Sequence, residues 1–428
     1  MITYQTLTFQ PGWQSMTNLT PNNPETTNLT HRVANFLGLR RSMAVMLSMV
    51  ILVGMGEHMA ERFLPIYLMA LGGGALSVGF LNGMDNLLSA LYSFPGGYLS
   101  DRLGYKRALM IFNMIAMMGY LIVILIPTWW AVILGAVLFL SWSAISLPAT
   151  MSLVADVLPD KKRTMGVSMH SLVRRIPMAL GPVVGGLLIA WQGEIAGIRW
   201  AFIIAFLLAG VALILQQVFV ENRKFSGKAE GNPLKLFGLM STAFRKLLVA
   251  DILVRFSEQI PYAFMAIWVI KNNGFSPVTF GLLTTIEMVT AMLVYIPVAY
   301  LADRGSKKPF VTITFAFFTL FPLLFLFAQN FWMFVVAFVV RGLKEFGEPT
   351  RKALIMDLAP EGQKAAMFGL YYLLRDVVVS LAAFSAGFLW NISPQLCFLT
   401  AFGFGLLGTV YFAIFGQNVS IQNKENAL

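Results

Sequence analysis

The feature that most constrains this chain is the recurrence of long apolar runs. Almost the whole sequence divides into stretches of about twenty or more residues dominated by Val, Leu, Ile, Phe, Met and Ala, separated by short polar turns. A helix of about 20 residues crosses ~30 Å of hydrocarbon, so each run is a candidate membrane span. Twelve spans are predicted, at 42–69, 76–99, 106–126, 129–155, 164–191, 198–220, 246–271, 277–301, 308–328, 331–357, 363–390 and 395–416. The runs are continuous, without the period-two alternation of barrel strands, and a lipid-facing backbone must satisfy its own hydrogen bonds. The expected fold class is therefore an all-α membrane protein.

The net charge of +11 is explained by placement rather than by an acidic partner. Of 31 Lys and Arg, 20 fall in the first 41 residues, the alternate loops and the tail, which an even number of spans puts on one side. Only Arg199 and Lys271 lie in the opposite loops, and nine sit within spans. That asymmetry follows the positive-inside rule, so both termini and the loop 221–245 are expected on the cytoplasmic side of a cell inner membrane. Nucleic-acid binding is not implied. The single cysteine, Cys397, excludes an internal disulfide and a cysteine-cluster metal site. No nucleotide-binding loop, metalloprotease motif or soluble catalytic domain is visible, so neither an enzyme nor a cofactor is expected.

The second half repeats the first at an offset of about 201 positions. Glu57 falls on Glu258, Asp85 on Glu287, Pro95 on Pro297, Asp101 and Arg102 on Asp303 and Arg304, Pro148 on Pro349, Arg174 on Arg375 and Gly186 on Gly387. Hydrophobicity alone would not force these residues into register. The repeat predicts two pseudo-symmetric six-helix bundles, 42–220 and 246–417, between a cytoplasmic segment 1–41, a linker 221–245 and a tail 418–428. Parallel repeats with a site between them are the architecture of alternating-access transporters.

GGYLSDRLGYKRAL (96–109), with its shortened second copy AYLADRGSKKPF (299–310), resembles the loop signature of the major facilitator superfamily. LGPVVGG (180–186) is similar to a Gly-Pro motif common in that superfamily's proton antiporters, with Pro177 where a Gly is usual. The resemblance implies a transporter, monomeric in the bilayer, with spans 1, 4, 7 and 10 lining a central cavity. It also implies a gate: Gly97 and Gly104 shape the turn, and Asp101, Arg102, Arg107, Asp303 and Arg304 pair across the cytoplasmic seam, with Asp156 and Asp357 as partners.

Nine acids and nine bases remain inside the spans. Each charge near a span centre costs roughly 2.5 to 3.5 kcal/mol to insert, so these must face protein or water. None lies in spans 3, 6, 9 or 12, and most lie in spans 1, 7 and 10. On a continuous helical wheel Arg341, Lys344, Glu345, Glu348, Arg351 and Lys352 form one stripe of about 120° on span 10. The first-bundle counterpart of that stretch carries only the closing aspartate. The expected substrate or proton pathway is Glu57, Glu61, Arg62, Arg174, Glu258, Arg341, Lys344, Glu345, Glu348 and Arg375. Arg351 and Lys352, near the end of span 10, are expected as interfacial anchors.

These features predict export of a small charged or zwitterionic solute by alternating access, coupled to protons. Two alternatives remain open: a divalent-metal transporter using Glu57, His58 and Glu61 as ligands, and a membrane sensor or assembly component that keeps the fold without turnover.

Overall fold

The computed structural model of the chain describes residues 41–140, 160–219, 237–302, 306–360 and 364–417. Among them every element is helical and no strand occurs. In chain order they are α1 (Arg41–Glu61), α2 (Leu64–Ala70), α3 (Ala75–Leu103), α4 (Tyr105–Leu125), α5 (Trp129–Phe139), α6 (Asp160–Phe219) and α7 (Thr242–Tyr262). The short α8 (Met265–Ile267) runs into a π turn at Trp268–Asn272, followed by α9 (Pro277–Ala302), α10 (Lys307–Phe327), α11 (Phe331–Leu343), α12 (Glu348–Leu358), α13 (Lys364–Ile392) and α14 (Pro394–Phe415).

Seven of the described helices are long and apolar enough to cross a membrane, fewer than the twelve expected. The difference has several sources. Span 4 is described only as far as residue 140. Spans 5 and 6 fall in one long element, α6, interrupted at Gly193, where φ 79 and ψ 175 are open to glycine but not to a residue with a Cβ. Span 7 carries Lys246, Asp251, Arg255 and Glu258 on α7, and span 10 is divided between α11 and α12.

Three expected spans are broken inside the fold. Arg62 and Phe63 form a turn between α1 and α2, with Pro65 in the first turn of α2. Ala263 and Phe264 form the equivalent turn after α7, just beyond Pro261. The two turns are separated by the same 201 positions as the repeat. In span 10, residues 344–347 form a turn and Pro349 opens α12, so the continuous wheel drawn through this stretch is corrected: Lys344 and Glu345 sit in a turn. Proline cannot donate to the helix ladder, and a break is tolerated at such depth only where protein or a water-filled cavity takes up the freed backbone groups.

Within the first half α1 packs along α6; within the second, α7 and α10 both pack on α14. The halves meet along two seams, α3 against α13 and α6 against α9. Backbones touch there because side chains are missing. A Cβ on Gly79 would stand 2.6 Å from the Gly387 nitrogen, and one on Gly186 would stand 2.6 Å from the Pro277 carbonyl oxygen. The glycines of LGPVVGG therefore serve close packing: Gly181 and Gly185 lie against His58 and Met59 of α1, while Gly186 lies against the other half. The tight contacts cluster at the end of the molecule that carries the Gly193 break. Lys271 and Glu194 form an ion pair across the same end.

Candidate functional site

The three breaks converge on a buried lattice of charge. On α7, Glu258 accepts from Arg255 of its own helix at 2.5 Å and from Lys344 of the span 10 turn at 2.5 Å. Lys344 also stands 3.6 Å from Glu287 on α9, which is ion-paired with Arg341 of α11. One turn further along, Arg351 of α12 donates to both oxygens of Glu348, at 2.7 and 2.8 Å, and pairs with Asp251 of α7. Tyr371 donates to Asp251 at 2.9 Å, and Arg375 lies 3.6 Å from the same carboxylate and 2.7 Å from Asp376.

The lattice is almost dry. Arg341 and Arg351 are 2% and 1% exposed, Asp251 is 1% and Glu287 is fully buried. Arg351 therefore does not anchor at a membrane interface as its position in span 10 suggested; the α12 break turns it inward onto Asp251. Lys352 does face out, its side chain 45% exposed beside Glu348 at 3.4 Å. Matched charges of this kind hold helices in register, and each is costly to leave unpaired.

The first half contributes a smaller group. His58 Nδ1 and Glu61 Oε2 are 2.7 Å apart, and the Tyr262 hydroxyl reaches Glu61 from the second half at 3.4 Å. The Arg62 guanidinium lies 5.0 Å from the centre of the Tyr262 ring, with Arg341 at 5.6 Å from that ring. Asn82 and Asn86 donate to the backbone carbonyl and side chain of Gln259 at 2.9 and 3.2 Å, crossing between halves. Between them lies a narrow cavity of about 490 Å³, counting its open mouth. Its polar wall is Glu61, Arg62, Asn82, Asp85 and Tyr262, and its apolar wall includes Leu64, Met265 and Phe280.

Of the expected pathway residues, Glu258, Arg341, Lys344, Glu348 and Arg375 join the lattice, and Glu61 and Arg62 line the cavity. Glu57 is buried on α1. Glu345 turns away from the lattice to Arg175 of α6, at 3.0 Å, making an ion pair between halves. The repeat singled out Arg174, but it is its neighbour Arg175 that makes this contact. Sequence reasoning also passed over Tyr262, Tyr371 and Gln259; only the position of Tyr262 directly after Pro261 hinted at a special site. Among the described residues no group of three or more His, Cys, Asp or Glu side chains could hold a metal ion, and His58 is engaged with Glu61.

The gate is only partly described. Gly104 has φ 80 and starts α4 as the motif requires, and Gly97 lies within α3. Arg107 is exposed, and Asp357 pairs with Lys307 of its own half. The side chains of Asp101 and Arg102, and residues Asp156, Asp303 and Arg304, lie outside the described residues.

Two helical halves related by an internal repeat, broken helices and a charged cavity between them define a membrane transporter. The family model described as Major Facilitator Superfamily matches residues 42–250 and again 247–426, and the chain belongs to that family. It is a multi-pass membrane protein and not an enzyme. An uncharacterized MFS-type transporter of Methanocaldococcus jannaschii is 23% identical over 363 residues, covering 81% of this chain and 87% of the relative. The class H tetracycline resistance protein of Pasteurella multocida is 22% identical over 369 residues, covering 83% of this chain and 90% of the relative. The crystal structure of the nucleoside transporter NupG shares the fold, with a TM-score of 0.75 at 13% identity over 88% of this chain and all of that one.

Proposed function

We propose that this chain is an alternating-access secondary transporter that exports a small charged or zwitterionic solute in exchange for protons. The observation that carries this reading is the position of the buried charges. They gather where the first, seventh and tenth spans break, beside a cavity walled by both halves, and not along the lipid face. Carboxylates held by basic partners inside a membrane can exchange those partners for protons, which releases a base to a substrate. Glu258, shared by Arg255 and Lys344, and its repeat partner Glu57 are the leading carboxylates for this step.

Export is supported by the similarity to a tetracycline resistance protein and by the Gly-Pro motif on α6. The site works in an inner membrane with both termini cytoplasmic, and the charged stretches 101–107 and 303–308 of the sequence open and close its cytoplasmic end. The monomer contains the whole pathway, since both walls of the cavity come from one chain.

Flux into or out of proteoliposomes under an imposed pH gradient tests the coupling. The gradient is expected to drive flux in the native protein and to lose its effect in Glu57→Gln and Glu258→Gln. Flux that ignores the gradient in the native protein, or that still follows it in both variants, would sink the coupling.

A further inference from the structure

The cavity differs from the lattice beside it in how its charges are matched. In the lattice each carboxylate has a basic partner. Of the cavity's charged side chains, Glu61 is engaged by His58 and Tyr262. Arg62 and Asp85, by contrast, make no ion pair with any described residue, including each other, and Asp85 makes no side-chain hydrogen bond among them. Arg62 is steadied face-on by the Tyr262 ring at 5.0 Å, which leaves its N–H edge available to fork onto a carboxylate.

The geometry points to a zwitterion site in this cavity: a solute that places a carboxylate on Arg62 and an ammonium group on Asp85. Asp85 has no basic partner, and Glu61, the acid beside Arg62, is already engaged by His58 and Tyr262, so a solute that brings both a carboxylate and an ammonium group satisfies both residues. An organic cation would be repelled by the guanidinium, and an organic anion would leave Asp85 without a basic partner. A solute carrying both charges neutralises the pair at once, which matters where an unmatched charge is costly to keep.

The remaining walls set its size and chemistry. The space is tight as it stands, so a small solute is favoured over a bulky one and its entry requires the walls to part. Leu64, Met265 and Phe280 offer a short apolar surface to a side chain, and Asn82 adds an amide at the polar wall. An α-amino acid, an amino acid with its charges further apart such as γ-aminobutyrate, and a quaternary betaine share this charge pattern and differ in N–H donors and span. Because Arg62 and Asp85 belong to the first half and Tyr262 and Phe280 to the second, an occupant here touches both moving parts.

This inference rests on the transporter reading and is tested by binding, independently of flux. Purified full-length protein is titrated with each common α-amino acid, γ-aminobutyrate and glycine betaine, and binding is read as a rise in thermal stability. At least one of these zwitterions is expected to bind, and its N-acetyl and carboxamide derivatives are expected to bind roughly ten-fold more weakly or worse. Asp85→Asn should weaken the zwitterion by a similar factor and erase the preference over the N-acetyl derivative. Arg62→Gln should erase the preference over the carboxamide, and Arg62→Lys should restore part of it. Unliganded melting and a monodisperse elution profile check that each variant is folded.

Absence of binding by every zwitterion, or binding that both neutralising variants leave unchanged, overturns the site. Ethidium and tetraphenylphosphonium fluxes separate this from the wider reading. If they follow the pH gradient while no zwitterion binds, the zwitterion site falls and the transporter stands. If a zwitterion binds with the expected variant pattern but no gradient drives its flux, the site stands and the proton coupling falls.

Discussion

Tyr262 and Glu61 are equivalent positions of the internal repeat, 201 residues apart, and they touch: the tyrosine hydroxyl donates to the glutamate at 3.4 Å. Equivalent residues of two halves can meet only close to the pseudo-symmetry axis that relates them. The contact therefore marks the centre of the molecule, and the breaks after α1 and α7 lie on either side of it. Tyr262 also presents its ring to Arg62 and Arg341, so two of its three roles belong to the ring rather than to the hydroxyl. Tyr262→Phe is expected to cost less than about 1 kcal/mol, the net worth of a long neutral-to-charged hydrogen bond. Tyr262→Ala removes two cation–π contacts of about 0.5 to 2 kcal/mol each together with the packing of the ring, and is expected to lower the melting temperature several-fold more. Thermal unfolding of the two variants in detergent checks the ratio.

The Arg341 and Glu287 pair lies in the dry part of the lattice, with side chains 2% and 1% exposed. Removing one member leaves a buried charge without its partner, and a loss of about 3–5 kcal/mol is expected for Arg341→Met or Glu287→Gln alone. Replacing both with apolar residues of similar volume, as in Arg341→Met with Glu287→Leu, removes the charge problem and is expected to recover most of that stability. Lys344, 3.6 Å from Glu287, will keep the recovery incomplete, because it loses one of its two acidic neighbours. Melting temperatures of the two single variants and the double variant test this.

Which parts of this arrangement were legible in the sequence depends on their range. Apolar run length is local, so the helical class and most span positions could be read directly, and the repeat at about 201 positions announced two related halves. That spans 1, 7 and 10 carry the charge was also plain. The breaks were not, although Pro65, Pro261 and Pro349 are visible at them, because a proline inside an apolar run can kink a helix as well as end it. Missing the break at 344–347 mattered most. It put Lys344 and Glu345 on one imagined face, whereas the turn sends Lys344 to Glu258 and Glu345 to Arg175 in the opposite half. That the contact between halves is made by Arg175 rather than by Arg174 was hidden for a related reason: repeat alignment identifies equivalent positions, but a contact between halves depends on helix rotation, which sequence offset does not specify.

The Arg175 and Glu345 pair joins α6 to the span 10 turn at 3.0 Å, with side chains 18% and 23% exposed. Water reaches both residues, so the pair is expected to be worth no more than about 1 kcal/mol. Arg175→Glu alone sets two acids against each other and is expected to favour separation of the halves at this point, as is Glu345→Arg with two bases. The double exchange, Arg175→Glu with Glu345→Arg, should restore the contact and the native behaviour. Distance between spin labels placed on α6 and α12, compared across the native protein, each single exchange and the double exchange, checks this directly.

The seam at the Gly193 end is held by two devices of unequal strength. The Lys271 and Glu194 pair is partly solvated, with side chains 44% and 29% exposed, and Glu194→Gln is expected to shift the balance of states by at most a few-fold. Close packing of α3 on α13 is stricter. A Cβ on Gly387 would stand 2.7 Å from the Ala75 carbonyl oxygen, and one on Gly79 would press on the Gly387 backbone, where nothing can swing aside. Gly387→Leu is therefore expected to wedge the seam open and hold the Gly193 end apart in most molecules, while Glu194→Gln leaves it closed in most. The labelling rate of a cysteine placed at Ala75, which is 7% exposed at the seam, in a background where Cys397 is replaced by Ser, measures the opening. A faster rate in Glu194→Gln than in Gly387→Leu would show that charge, and not backbone contact, closes this end.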